Sequence, residues 1–194
     1  MTFAKLLARL DALLQRHRPE YYAELNPPAT AAELAAFEAE VGLTLPAELW
    51  AWFSWHNGQN DECFESLVAN YECPSLSSVA ESMRINRELL EAGDFVLNWW
   101  QPNWVPFLTN GSGDHVCLDL EGTFTGQPGQ LIEHWHDWEP RDVVFPDLTV
   151  WLAAVVQAYE AVLAETGEPE LTDEQILDLE LGSPAGFPLE FRAR

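Results

Sequence analysis

Apolar residues at positions 3, 6, 7, 10, 13 and 14 (Phe3, Leu6, Leu7, Leu10, Leu13, Leu14) are interleaved with Lys5, Arg9 and Asp11. That spacing winds onto one stripe of an amphipathic helix, which Pro19 stops. Tyr21, Tyr22 and Leu25 lead into an Asn26-Pro27-Pro28 break. Thr30 with Glu33 then makes a capping-box pattern, Leu34, Phe37 and Val41 supply the buried face of a second helix, and Gly42 ends it. A third helix is predicted from Pro46 to Asn57-Gly58, with Leu49, Trp52, Phe53 and His56 on one face. Trp50 and Trp55 lie off that face, so this helix is wrapped by the fold or lends one side to a partner. Ser78 with Glu81 forms another capping box, opening a helix to about Glu91 that Gly93 closes.

The pattern then changes to that of a sheet. A short strand is predicted around Glu62 to Ala69. Trp104–Leu108, His115–Leu120 and Gln130–Trp135 are β-rich runs separated by turns containing glycine, the signature of antiparallel hairpins. Pro106 restricts its strand to an edge or a bulge. From Asp147 helical spacing returns through Leu148, Trp151, Leu152, Val155, Val156, Tyr159 and Leu163. Thr172 with Gln175 caps a last short helix, and the tail with Pro184, Gly186 and Pro188 reads as irregular. The expectation is one α+β domain, a central antiparallel or mixed sheet with N-terminal helices and a C-terminal helix packed on it. It divides into an amphipathic helix and break (1–29), a central unit (30–165) and an acidic extension (166–194).

Charge changes the picture more than composition does. Hydrophobic residues make up 47% of 194 positions, ordinary for a folded chain, whereas 9 basic residues face 32 acidic ones for a net −23. Residues 1–19 carry +3 and residues 20–194 carry −26. Such a surface repels nucleic acid and anionic membranes and speeds encounter with basic proteins, while solubility alone is the plainer explanation of the same acidity. Cys63, Cys73 and Cys117 have no metal-ligand spacing and read as buried free thiols of a reducing, cytoplasmic compartment. The N-terminal helix lacks the continuous apolar core of a signal peptide, and no run approaches a membrane span.

The strongest catalytic candidate is His134-Trp-His136-Asp137, whose two imidazoles share a face on an extended strand near Asp114, His115 or Glu133. Without a third ligand at a recognised spacing the pair reads as ordinary polar positions at a strand end, and no metal, cofactor or catalytic residue is assigned. Asn110-Gly-Ser-Gly-Asp114 precedes β-formers rather than a helix, so it is a hairpin turn and not a phosphate loop. His56 reads as a helix-end residue. Nine tryptophans exceed the ordinary needs of such a core. Trp52 and Trp151 are expected inside, while Trp99, Trp100 and Trp138, among turn residues, are expected at a surface site.

Three blocks of this chain together resemble the SUKH superfamily. They are the capped helix from Thr30 followed by Gly42-Leu-Thr-Leu-Pro46 and a helix ending in His56-Asn57-Gly58; Trp104-Val-Pro-Phe-Leu108 with Asn110-Gly-Ser-Gly-Asp114 and His115-Val-Cys-Leu-Asp119; and Gly129-Gln-Leu-Ile-Glu133-His-Trp-His-Asp137 before a helix. The aromatic density of the 49–55 helix departs from that pattern. The superfamily includes fungal cell-wall assembly regulators and bacterial proteins that neutralise toxins. The resemblance implies an immunity protein that blocks a basic toxin domain, such as a nuclease, by occupation. A regulatory scaffold is the second reading and a metal-dependent hydrolase the third. Charge and aromatic content place the expected contact on Asp114, Asp119, Glu133, Asp137, Trp99, Trp100 and Trp138, in a monomer or weak dimer that binds neither nucleic acid nor membrane.

Overall fold

The elements follow the order α1 (Phe3–His17), α2 (Pro19–Ala23), α3 (Ala31–Val41), α4 (Ala47–Trp55), α5 (Leu76–Ala92), β1 (Trp104–Thr109), β2 (His115–Asp119), β3 (Gln130–His134), β4 (Val143–Phe145), α6 (Leu148–Thr166) and α7 (Asp173–Leu177) in a computed structural model that describes residues 1–194. The strands form one sheet in sequence order, antiparallel throughout. Pro106 sits on the edge strand β1, where the register with β2 shifts between Pro106 and Leu108, so it is both at an edge and at a bulge.

Pleating sends alternate residues to opposite faces of this sheet. Phe107 lies on one face, edge-on to Trp52 of α4 and Trp151 of α6 at 6.4 and 4.9 Å. Those two tryptophans meet each other at 5.4 Å, and α1 lays its leucine stripe over α6 and α4. A single buried cluster of 46 residues, running from Phe3 to Leu179, makes one α+β domain of all three sequence segments. Contrary to the expectation that no run approaches a membrane span, α6 is long and apolar enough to cross one by length and composition. Here it is a core helix that buries Trp151, Leu152, Val155, Val156 and Tyr159.

Three local expectations are corrected. Helix α4 ends earlier than Asn57-Gly58, because His56 is already extended. Gly58 serves packing instead. At φ +71° a Cβ there would come within 2.4 Å of the Pro74 backbone, so glycine permits two chain segments to touch. Helix α5 begins at Leu76, capped by Ser75 onto the Ser78 amide, rather than at a Ser78–Glu81 box. No strand forms over 62–69; the backbone there makes only a bridge between Val68 and Tyr71, and Gln59 donates to the Cys63 and Glu65 carbonyls. The fourth strand and α2 had no clear periodic signal, each being five residues or fewer.

The acidic extension is a strap. Val143 and Leu189 exchange both backbone hydrogen bonds at 2.9 Å, and Phe191 stacks on Phe124 at 4.7 Å. The free edge of β4 is thereby covered, which removes an open template for strand pairing.

Candidate functional site

The second face of the sheet carries its chemistry. The β2–β3 register sets His115 opposite His134, Cys117 opposite Ile132, and Asp119 opposite Gln130. Segment 94–103 folds over this face and changes the meaning of two expected surface residues. Trp100 is only 1% exposed, edge-on to Trp104 at 5.9 Å and to His134 at 5.1 Å. Asp119 is fully buried, accepting from Asn103 Nδ2 and Gln130 Nε2 at 2.8 Å and from the Glu121 and Gly122 amides at 3.1 Å. Both are internal anchors, and neither can meet a partner. The residues were misplaced because a tryptophan among turn residues and an acid at a strand end look alike in sequence whether a loop folds back or not.

Glu133 faces the opposite side. It lies half-buried beside Tyr71, whose hydroxyl donates to Glu133 Oε1 at 3.0 Å, and burial raises its pKa. Both line a pocket of about 230 Å³ with Trp151, Leu179, Leu181 and Pro188. Glu133 thus lies on the opposite face from Asp119, while Asp142 and Asp114 stay close enough to add to the rise in its pKa.

Asp114, Asp137, Trp99 and Trp138 do gather on one side. The β1–β2 turn is tied by Asn110, whose Oδ1 accepts from the Ser112 and Asp114 amides at 2.9 and 3.1 Å. Asn110 Nδ2 donates to Asp114 Oδ2 at 2.7 Å, and Asp114 Oδ1 meets both the His136 amide and His136 Nδ1 at 2.8 Å. Burial alone would raise the Asp114 pKa, but the donors from His136 and Asn110 outweigh it and hold the carboxyl below its usual value. The hydrogen bond to Asp114 raises the pKa of the exposed His136 ring. Asp114, His136 and Asp137 bring ligand-type atoms within 4.8 Å of one another. Asp114 is already engaged by three donors, so the trio is explained as turn geometry. His134 and His136, placed on one face by strand alternation, do not share it: His134 is buried against Trp100, while the His136 ring turns to Asp114.

Arg141 locks this region. Its guanidinium is fully buried, stacked 4.6 Å over the Trp99 ring. Nε donates to the Trp99 carbonyl at 2.9 Å, and Nη1 donates to the Trp138 and Pro140 carbonyls at 2.6 Å. The segments bearing Trp99 and Trp138 are therefore tied to one another through a single side chain. Burial pulls the Arg141 pKa down to about 10. Sequence reasoning missed Arg141; the one available signal was that it stands alone in a stretch otherwise free of basic residues.

Between α5 and this face runs a groove of about 500 Å³, walled by Ile85, Leu89, Phe95, Trp99 and Pro106 and floored by His115 and His134. Beside it, Val96, Leu97 and Trp138 are exposed at 51%, 70% and 63%. Ala193 and Arg194 donate backbone hydrogen bonds to the Glu139 and Leu97 carbonyls, joining the two loops at the chain end.

An α+β domain whose polar side chains stabilise turns, and whose exposed apolar residues sit on pinned loops, has the build of a binding module. The chain belongs to the SMI1 / KNR4 family (SUKH-1), which it matches over residues 28–154. Membership carries a toxin-immunity or regulatory role at the level of the family, and a protein as partner in the general sense. Comparison with curated proteins returns no match.

Proposed function

We propose that this chain is a non-enzymatic immunity protein that acts in the cytoplasm, as a monomer or weak dimer, by covering the working surface of a basic toxin domain, such as a nuclease. The observation that carries this reading is the exposed apolar rim of Val96, Leu97 and Trp138, set among Asp94, Asp137 and Glu139 on loops that Arg141 pins. Large apolar side chains held rigidly in water lose little conformational freedom when a partner covers them. The carboxylates around them and the −26 of residues 20–194 supply long-range attraction for a cationic surface. Toxins that attack nucleic acid need such cationic surfaces to engage phosphates. The three buried free thiols support a reducing compartment.

Co-expression with the protein encoded immediately upstream tests this reading. The expected result is a complex and protection of the host, both lost with Trp138→Ala combined with Asp137→Lys while the fold is kept. A rim variant that still protects fully overturns the placement. A partner that is a cell-wall regulator rather than a toxin favours the scaffold reading.

A further inference from the structure

Leu108, Val116 and Glu133 form one row across β1, β2 and β3, because the register sets Leu108 opposite Val116 and Val116 opposite Glu133. Residues directly opposite on neighbouring strands share a face. Trp151 of α6 and the chain beyond α7, through Leu179 and Leu181, stand over this row without filling the space. The cavity of about 230 Å³ left between them is lined by apolar side chains, apart from the Tyr71 and Ser183 hydroxyls and the Glu133 carboxyl. Ser183 and Pro188 of the strap, both exposed, border it.

Glu133 is the one acid or base in the lining, and its surroundings are short of positive charge. The Tyr71 hydroxyl donates to its Oε1 at 3.0 Å. None of the ion pairs of this protein includes Glu133. Burial raises its pKa, the donors from Tyr71 and Trp135 oppose the rise, and Asp142 and Asp114 add to it. An ionised carboxylate in an apolar setting is costly unless an opposite charge or further donors meet it. It accepts at about four lone-pair sites, more than two donors use. An ammonium supplies both missing elements, positive charge and N–H donors, whereas an anionic ligand is repelled. The walls select the rest of the ligand. Tyr71, Phe145 and Trp151 offer aromatic surface to a flat ring. An apolar cavity of about 150 Å³ holds benzene, so this larger one takes a ring with a short arm.

We propose that this cavity binds a small arylalkylamine, with its ammonium on the Glu133 carboxylate and its ring between Val116, Trp151 and Leu179. None of Val96, Leu97 and Trp138 lines it, so the site is measured on the isolated chain and stands or falls apart from toxin binding. Phenethylamine is the probe. Phenylethanol replaces its ammonium with a hydroxyl, and phenylpropionate replaces it with a carboxylate. Each is titrated near neutral pH into ¹³C-methyl-labelled protein. Phenethylamine is expected to shift the Val116, Leu179 and Leu181 methyl signals saturably, while those of Leu10 and Leu14 on α1 stay in place. Phenylethanol is expected to bind about tenfold more weakly, the worth of one charge-assisted hydrogen bond, and phenylpropionate not at all. Glu133→Gln keeps the shape and removes the charge. It is expected to weaken phenethylamine binding by about tenfold, to leave phenylethanol binding unchanged, and to hold or raise the unfolding midpoint. Should that variant fail to fold, the comparison of the three ligands on the unsubstituted chain decides alone. No saturable shift of the cavity methyls overturns the proposal, as does phenylpropionate or phenylethanol binding as tightly as the amine. Nα-acetyl-lysine amide carries the same ammonium on a thin stem and stands for a partner's side chain. An affinity equal to that of phenethylamine overturns the assignment of a free arylalkylamine.

Discussion

Replacing Trp52 with alanine should cost this protein a large part of its stability. The side chain is 1% exposed and its ring meets Trp55, Phe107 and Trp151 at 5.2, 6.4 and 5.4 Å. Truncation removes most of a large apolar side chain from the junction of α4, α6 and the sheet. Three elements fixed by their own hydrogen bonds cannot collapse into the space. Large-to-small changes of this kind cost about 3–5 kcal/mol, against a total stability of about 5–15 kcal/mol. With a urea slope of about 3 kcal/mol per molar for a domain of this size, the midpoint should fall by roughly 1–1.7 M. Trp138→Ala is the control: at 63% exposure its loss should shift stability by about 0.5 kcal/mol or less. Equilibrium urea unfolding followed by far-UV circular dichroism measures both. A Trp52→Ala midpoint indistinguishable from that of the unsubstituted chain, or a Trp138→Ala loss as large as that of Trp52, refutes the assignment of inside and outside.

Two further predictions concern protons. The Asp114 pKa is lowered and the His136 pKa raised, so the stabilisation from Asp114 is present above its unfolded pKa of about 3.9 and lost as pH falls through the lowered value, while that from His136 is present below about 6.5 and lost as pH rises through the raised one. An NMR titration should show His136 protonating above the usual histidine range, and Asp114→Asn should return it towards that range; an unmoved value contradicts the pairing. His115 and His134 are held to about 4 and about 3, chiefly by burial, so the unfolded chain binds their protons first and stability should decline as pH falls from about 6.5. His115→Phe and His134→Phe should flatten that decline, and an unchanged acid slope in both refutes neutral burial.

The fold was legible wherever one side of an element repeats. The α1 leucine stripe, the Thr30–Glu33 box, Leu49, Trp52 and Phe53 facing inward, the Asn110–Asp114 turn and the Pro106 bulge all follow from local spacing and backbone chemistry. The functional side was legible only in part, because burial of an isolated residue is decided by chain far away in sequence. Trp100 and Trp99 are neighbours, yet one is sealed against His134 and the other lines the groove. Asp119 ends β2 and Asp137 lies three residues beyond β3, and Asn103, 16 residues before Asp119, makes the first an anchor. Glu133 is separated from Asp119 by pleating: it pairs with Val116, on the face opposite to the one that carries Cys117 and Asp119. Arg141 announced itself only by its isolation in sequence, since its carbonyl partners come from loops that spacing does not bring together.

The central proposal is that an acidic chain meets a cationic protein through long-range attraction and holds it by its apolar rim. Stopped-flow association with the upstream-encoded toxin domain, followed from low to high salt, tests it most directly. Steering is screened beyond about 8 Å at physiological ionic strength, so the on-rate should fall steeply with salt while the off-rate changes little. Asp137→Lys with Glu139→Lys should lower the on-rate, and Trp138→Ala should raise the off-rate. An on-rate flat across the salt range, untouched by the charge reversals, contradicts the account and leaves the acidity a matter of solubility.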